Sequence, residues 1–245
     1  MLASSLNAAM VYQAGFGSDP VGALNSGDLA SGATVVGTGS SIVNVGTVPT
    51  FCGPVNMGQA IDLEDNSWLD TNVHLENDLG IDANTDYTMV AWINFPSLGG
   101  DRFVFGAESG NVLHLGTRGT NYHSGHWGDD IGVGNAMSSI GNWQYVVWTN
   151  DGSTGIQEIF VDGTSVISGG GPAAPNQNFP DLLIGGTRSD PGRDFIGQIA
   201  GVAVYDEVLS PADQKIQAIL IVPEPSRAIL VMLALGSLLV MRRRR

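Results

Sequence analysis

The sequence predicts an all-β protein of antiparallel sheets, a sandwich or a barrel, and three observations carry that reading. Glycine supplies 34 of 245 residues while only 14% are charged, which suits a loop-rich body rather than a disordered acidic chain or long helices. Between residues 10 and 221 no helix-period stretch runs beyond about 10 residues, whereas short β-type runs recur, punctuated by Gly, Asn and Asp. Their spacing of roughly 10 to 20 residues suits antiparallel pairing through loops, and no βαβ unit appears. The chain is long enough for one sizeable core.

The expected strands follow in order. The first covers 11–16, and the polar Gly/Ser/Asn stretch 17–41 reads as irregular. Further strands fall at 60–63, 87–95, 102–106, 112–117, 143–150, 156–162, 181–184 and 195–205. In YTMVAWINF (87–95) Tyr87, Met89, Ala91, Ile93 and Phe95 share one face and Thr88, Val90, Trp92 and Asn94 the other. Both faces are largely apolar, which marks a central strand. Asp162-Gly163 is the strongest local hairpin signal, leading into a strand over 164–168. One short helix is expected over 210–219, with Ser210 as N-cap and Pro211 at its first position.

Charge is unevenly distributed. The net charge is −14, but the segment from Val222 onward holds five arginines against Glu224, a net +4, so the body carries −18. Such a body repels phosphate backbones, which excludes nucleic acid as a partner and leaves Ca²⁺ or polyol ligands compatible. A single cysteine, Cys52, excludes an internal disulfide and a Cys-rich zinc site, and reads as a small buried hydrophobe.

The C-terminal segment 222–245 is the most specific feature. A Pro-Glu-Pro box (222–226, with Pro223, Glu224 and Pro225) precedes Arg227, an uncharged apolar run over 228–241, and Arg242, Arg243, Arg244 and Arg245. The fourteen residues of this run span about 21 Å as a helix against roughly 30 Å of hydrocarbon, a short transmembrane segment by length. The arginines would hold the cytoplasmic side and leave the acidic body outside. The prolines keep the box extended and accessible. This arrangement resembles the PEP-CTERM sorting tail of exported bacterial proteins. The resemblance implies processing by an exosortase-type enzyme at the inner membrane of an exopolysaccharide-producing cell, followed by release to the cell surface or extracellular matrix. Residues 1–9 look like the last third of a signal peptide, with cleavage near Ala8 or Ala9 and a start codon upstream.

Four pieces within 10–221 resemble the laminin G-like, concanavalin A-like jelly-roll family: YTMVAWINF (87–95), GNWQYVVWTND (141–151), EIFVDG (158–163), and LIGG (183–186) with FIGQIAGVAVYDEVLS (195–210). The resemblance implies two antiparallel sheets packed face to face, adjacent N- and C-terminal strands, and binding of glycans or proteins rather than catalysis. It places Trp92, Trp143, Val147, Phe160 and Val204 in the core. Ala200-Gly201 departs from the family, which often carries acidic residues there.

The densest polar run is NYHSGHWGDD (121–130). Its preferred reading is a glycan-facing rim, where Tyr122, His126 and Trp127 stack on sugar C–H surfaces and Asp129, Asp130 and Asn135 accept hydroxyl protons. The alternatives are a transition-metal site using His123, His126, Asp129 and Asp130, a structural Ca²⁺ on Asp129, Asp130 and Asp151, and plain turn capping. A glycoside hydrolase needs paired carboxylates, and no E-x-D-x-x-E strand exists; Glu64 with Glu108 or Glu158 is its best case. The expectation is an exported, non-catalytic carbohydrate-binding protein. Its alternatives are a structural or adhesive matrix protein and a degenerate glycoside hydrolase.

Overall fold

The computed structural model describes residues 9–15, 24–26, 34–107, 113–126, 128–134, 139–170, 180–188 and 192–221. In chain order the elements are β1 (Met10–Gly15), β2 (Leu24–Ser26), β3 (Thr34–Val36), β4 (Ser41–Asn44), β5 (Thr47–Thr50), β6 (Gly53–Asn56), β7 (Gln59–Leu63), β8 (Trp68–His74), α1 (Leu75–Leu79), β9 (Tyr87–Asn94), β10 (Asp101–Ala107), β11 (His114–Arg118), β12 (Asn121–Ser124), β13 (Ile131–Gly134), β14 (Gln144–Asp151), β15 (Ile156–Val161), β16 (Thr164–Gly170), β17 (Asp181–Ile184), β18 (Gly197–Tyr205) and α2 (Pro211–Leu220). Every ladder between these strands is antiparallel.

Two large sheets form. The nine-stranded sheet runs β16-β15-β14-β9-β18-β1-β2, with β7 on β18 and β4 on β7. The seven-stranded sheet runs β13-β12-β11-β10-β17-β8-β3, and β5-β6 form a separate hairpin. The first and last strands, β1 and β18, pair as the resemblance implied.

The alternation in β9 resolves into two cores. Tyr87, Met89, Ala91, Ile93 and Phe95 enter the core between the sheets, with Phe105, Leu115, Trp148 and Ile184 among their neighbours there. Val90 and Trp92 point the other way, into a second core on the outer face of the nine-stranded sheet. The β5-β6 hairpin and α2 cover that face: Phe51 packs on Trp92 and Tyr145, and the Trp92 indole donates to the Ala218 carbonyl at 2.7 Å. Gly201 lets the helix end come this close, because a Cβ there would sit 2.6 Å from the Ile221 carbonyl oxygen. The departure at Ala200-Gly201 is thus where the C-terminal helix rests on β18.

Several expectations need correction. Trp92, Val147, Phe160 and Val204 are buried, but Trp143 precedes β14 and is half-buried. Cys52 is also half-buried, in the β5-β6 turn with its sulfur 3.2 Å from Thr50 Oγ1. The stretch 17–41 contributes β2, β3 and the start of β4 rather than being irregular throughout. Strand β8 escaped notice because Asp70, Asn72 and His74 interrupt its apolar positions, and Asn72 adopts φ +55°. Among the described residues no helix is long and apolar enough to cross a membrane, and the segment 222–245 lies outside them.

Hairpin and helix signals hold. Asp162 and Gly163 take φ values of +51° and +75°, the paired positive values of a tight two-residue turn. Burial pushes the Asp162 carboxyl up, opposed by a bond accepted from the Tyr145 amide. Its folded value lies above its unfolded one, so its contribution to stability is full below the unfolded value and lost as pH rises through the folded one. Asp162→Asn keeps the acceptor and tolerates positive φ. It is therefore expected to raise the melting temperature at pH 7, with the gain shrinking in melts taken below pH 4. α2 starts as expected, with Ser210 accepting from the Asp213 amide and Pro211 in the first turn.

Candidate ligand-binding face

Because the second core seals one outer face, the polar side chains gather on the outer face of the seven-stranded sheet. In β11 Leu115 points into the main core, so His114, Gly116 and Arg118 point outward; in β12 Tyr122 points in and His123 out. Asp101, Asp70 and Asp181 belong to neighbouring strands of the same sheet. Arg118, Arg188 and Arg193 are three of the five basic residues that precede residue 222, and all three engage carboxylates around this face, whereas Arg102, out of step with Asp101 on β10, reaches Asp65. Arg118 bridges Asp101 at 3.2 Å and Asp130 at 2.9 Å, Arg193 lies 3.7 Å from Asp101, and Arg188 joins Asp70 and, at 3.7 Å, Asp181. The side chains of Arg118 and Asp130 are 40% and 33% exposed, so both remain in reach of a ligand.

Beside Arg118 lies a half-hidden cluster. His114 and His123 are buried, stack at 5.0 Å and are flanked by the Phe103 ring. His114 Nε2 is 3.1 Å from Asp130 Oδ1, and His123 Nε2 is 3.8 Å from Asp130 Oδ2. Burial, with the Arg118 charge and His114 nearby, pushes the His123 imidazole down to about 3. The 3.8 Å approach is therefore between a neutral ring and a carboxylate, not an ion pair. Burial alone would raise the Asp130 carboxyl, but His114, His123 and Arg118 together hold it well below the usual carboxylate range.

The residues expected at a glycan-facing rim take other places. Tyr122 is 4% exposed, and its hydroxyl donates to Gln144 Oε1 and lies 3.2 Å from Ser139 Oγ, inside the sandwich. His126 is fully buried: its Nδ1 is 2.8 Å from Asp129 Oδ2 and its Nε2 meets the Tyr87 hydroxyl. A carboxylate only accepts, so Nδ1 donates and, in the neutral ring, Nε2 accepts from Tyr87. Burial, then the Asp129 charge, pushes the Tyr87 phenol far up, which keeps it a donor. Asp129 also accepts from the His126 amide at 2.8 Å, and Gln157 Nε2 donates to its carbonyl at 2.9 Å. These side chains anchor the loop, and of the rim set Asp130 alone, among the described residues, stays available. Trp127 and Asn135, like Glu108, lie outside the described residues.

Nor do the acidic residues considered for Ca²⁺ converge. Asp151 caps its own turn, accepting from Ser153 and Thr154, and Asp129 is committed to His126. Among the described residues, the group of three metal-competent side chains that does converge is His114, His123 and Asp130. His126, expected beside His123, points into the core instead. His114 was missed because a lone His within an apolar run carries no signal until strand register sets it beside His123.

A two-sheet antiparallel sandwich is the architecture that lectins and glucanases of the concanavalin A-like type share. The chain belongs to the concanavalin A-like lectin/glucanases superfamily, whose laminin G-type family model matches residues 65–213. Similar solved structures include domain 4 of AbnA, a GH43 extracellular arabinanase from Geobacillus stearothermophilus, in complex with arabinotriose (17% identity, 85% of this chain and 97% of that one covered, TM-score 0.62). They also include the receptor-binding domain of a botulinum neurotoxin C/D mosaic serotype (11%, 85% and 50%, TM-score 0.59) and the binding domain of Paraclostridial Mosquitocidal Protein 1 (14%, 85% and 51%, TM-score 0.60). This chain thus spans about half the length of the toxin domains, and at these identities the likeness is one of fold. No curated protein matches.

Proposed function

We propose that this is an exported, surface-associated, non-catalytic carbohydrate-binding protein that holds a polysaccharide across the outer face of its seven-stranded sheet, at the line Asp101, Arg118, Asp130. The observation that carries the reading is the contrast between the two outer faces: one is closed by the hairpin and α2, the other displays partly exposed arginine–carboxylate pairs from several strands. Exposed ion pairs contribute only about 0–1 kcal/mol each, so the network adds little to stability. Its fixed donors and acceptors match what sugar hydroxyls need. The arabinotriose complex of the AbnA domain supports carbohydrate as the ligand class.

Sorting belongs to the same proposal. The Pro-Glu-Pro box, the apolar run and the four terminal arginines would hold the chain in the inner membrane until an exosortase-type enzyme releases it to the cell surface or matrix. Substituting Glu224 and Pro225 together is expected to leave the protein in the inner-membrane fraction; unchanged export would refute the sorting reading.

Binding is tested by screening the full chain against immobilised polysaccharides, then comparing Arg118→Ala and Asp101→Asn with the parent. Loss of one charge-assisted hydrogen bond, about 1.5–3 kcal/mol, predicts affinity falling by about 10- to 100-fold with an unchanged melt. Retention on no glycan, or binding indifferent to both variants, would move the weight to a structural or adhesive matrix role.

A further inference from the structure

His114, His123 and Asp130 come from the start of β11, the middle of β12 and the loop before β13, yet their ligand atoms all lie within 4.8 Å of one another. Zinc bonds of 2.0–2.2 Å in a tetrahedron set ligand atoms about 3.4 Å apart; His114 Nε2 approaches Asp130 Oδ1 at 3.1 Å and His123 Nε2 approaches the second carboxylate oxygen, Oδ2, at 3.8 Å, each near that spacing. The second observation is an unmet need. His123 Nε2 belongs to a side chain only 4% exposed, faces the Asp130 carboxylate, and makes no hydrogen bond. Buried polar nitrogens are nearly always satisfied, so an orphan aimed at two other ligands calls for an electrophile.

Gly125 keeps the space beside the ligand atoms clear. A Cβ there would lie 2.2 Å from Asp130 Oδ1 and 2.6 Å from His114 Nε2. Arg118, bonded to the other Asp130 oxygen at 2.9 Å, fixes the orientation of the carboxylate in the way groups behind a metal ligand do. We propose that these three residues form a binding site for a divalent transition metal of the zinc class, pinning β11 and β12 to the Asp130 loop. Two imidazoles and one carboxylate suit zinc, nickel or copper, whereas Ca²⁺ requires six to eight oxygens. A hydrogen-bonded His114–Asp130–Arg118 cluster without metal would explain Asp130 but leave His123 Nε2 unexplained.

The test uses the full chain, purified without a polyhistidine tag and dialysed against chelator, and titrated separately with Zn²⁺, Co²⁺ and Ca²⁺. One equivalent of Zn²⁺ should bind and be removable by chelator, the Co²⁺ adduct should absorb in the visible, and Zn²⁺ should raise the melting temperature. His123→Gln and Asp130→Asn should each weaken Zn²⁺ binding by at least about tenfold, the scale reached when merely supporting residues around metal ligands are removed. His74→Asn, which keeps a cap for α1, should not. X-ray absorption at the zinc edge of the parent protein reads the ligands without any variant and should show two imidazoles and no sulfur. Failure of the parent to bind a stoichiometric equivalent, preference for Ca²⁺, a different ligand set, or binding indifferent to both substitutions overturns the proposal. Arg118 steadies the Asp130 ligand, so in the glycan assay it is Asp101→Asn, whose side chain engages Arg118 and Arg193 and no proposed metal ligand, that keeps the two results apart.

Discussion

Trp92→Ala is expected to lower the free energy of unfolding by about 4 kcal/mol, within the 3–5 kcal/mol found for large aromatic-to-alanine changes in cores. Trp92 is fully buried at the centre of the second core, 5.3 Å from the Tyr145 ring and 6.3 Å from Phe51. Its loss leaves a cavity beneath the hairpin and takes from the Ala218 carbonyl of α2 the indole donor that ties the helix to the sheet. Against a total of about 5–15 kcal/mol for a domain, that is about a quarter or more of the stability. Equilibrium urea denaturation gives the size, and amide exchange gives the place: α2 and the β5-β6 hairpin should lose protection before β9 and β14 do. Trp92→Phe fills most of the volume and forfeits the hydrogen bond, so its cost should fall to about 1–2 kcal/mol. A loss below about 1.5 kcal/mol for the alanine variant would mean that the second core covers the sheet without holding it. The closed face would then no longer be a reason to put the ligand on the opposite sheet.

What could be read from residues alone was whatever local chemistry fixes. The alternation in β9 announced a strand buried on both sides, and its two apolar rows do enter two different cores. Asp162-Gly163 and Ser210-Pro211 each specify a backbone geometry over two residues, and both appear where expected. The site depends instead on register and on loop closure. His114 becomes the neighbour of His123 only because β11 and β12 pair with Gly116 opposite His123, which brings the two rings to a 5.0 Å stack. In NYHSGHWGDD the polar residues were visible, but which of them turn inward depends on Tyr87, Gln144 and Gln157, which lie 22 to 39 residues away in sequence from their partners in that loop. Aromatic and acidic residues in a loop therefore suggested a sugar platform where the fold uses Tyr122, His126 and Asp129 as anchors.

His126→Ala is expected to cost about 3 kcal/mol, the second-largest effect, because it strands two partners at once. Asp129 loses the donor that offsets its desolvation, and the Tyr87 hydroxyl, fully buried, loses its acceptor; each orphan costs about 1–3 kcal/mol. Tyr87→Phe removes one hydroxyl and with it the hydrogen bond to His126 Nε2, a loss of about 1–2 kcal/mol. In the double variant Tyr87→Phe with His126→Ala, no hydroxyl is left to strand. Its cost should therefore fall short of the sum by about 1 kcal/mol or more, within the range measured for contacting residues. Urea titrations of the four proteins close that cycle, and strict additivity would show that the two side chains do not act as a unit. The consequence reaches the face proposed to hold the glycan. Asp129 and Asp130 are consecutive, one held inward by His126 and the other outward by Arg118 and His114, so cutting the inward anchor releases the outward one. His126→Ala should weaken glycan retention by a larger factor than Tyr87→Phe although neither residue is exposed, in proportion to how far each frees the Asp130 loop.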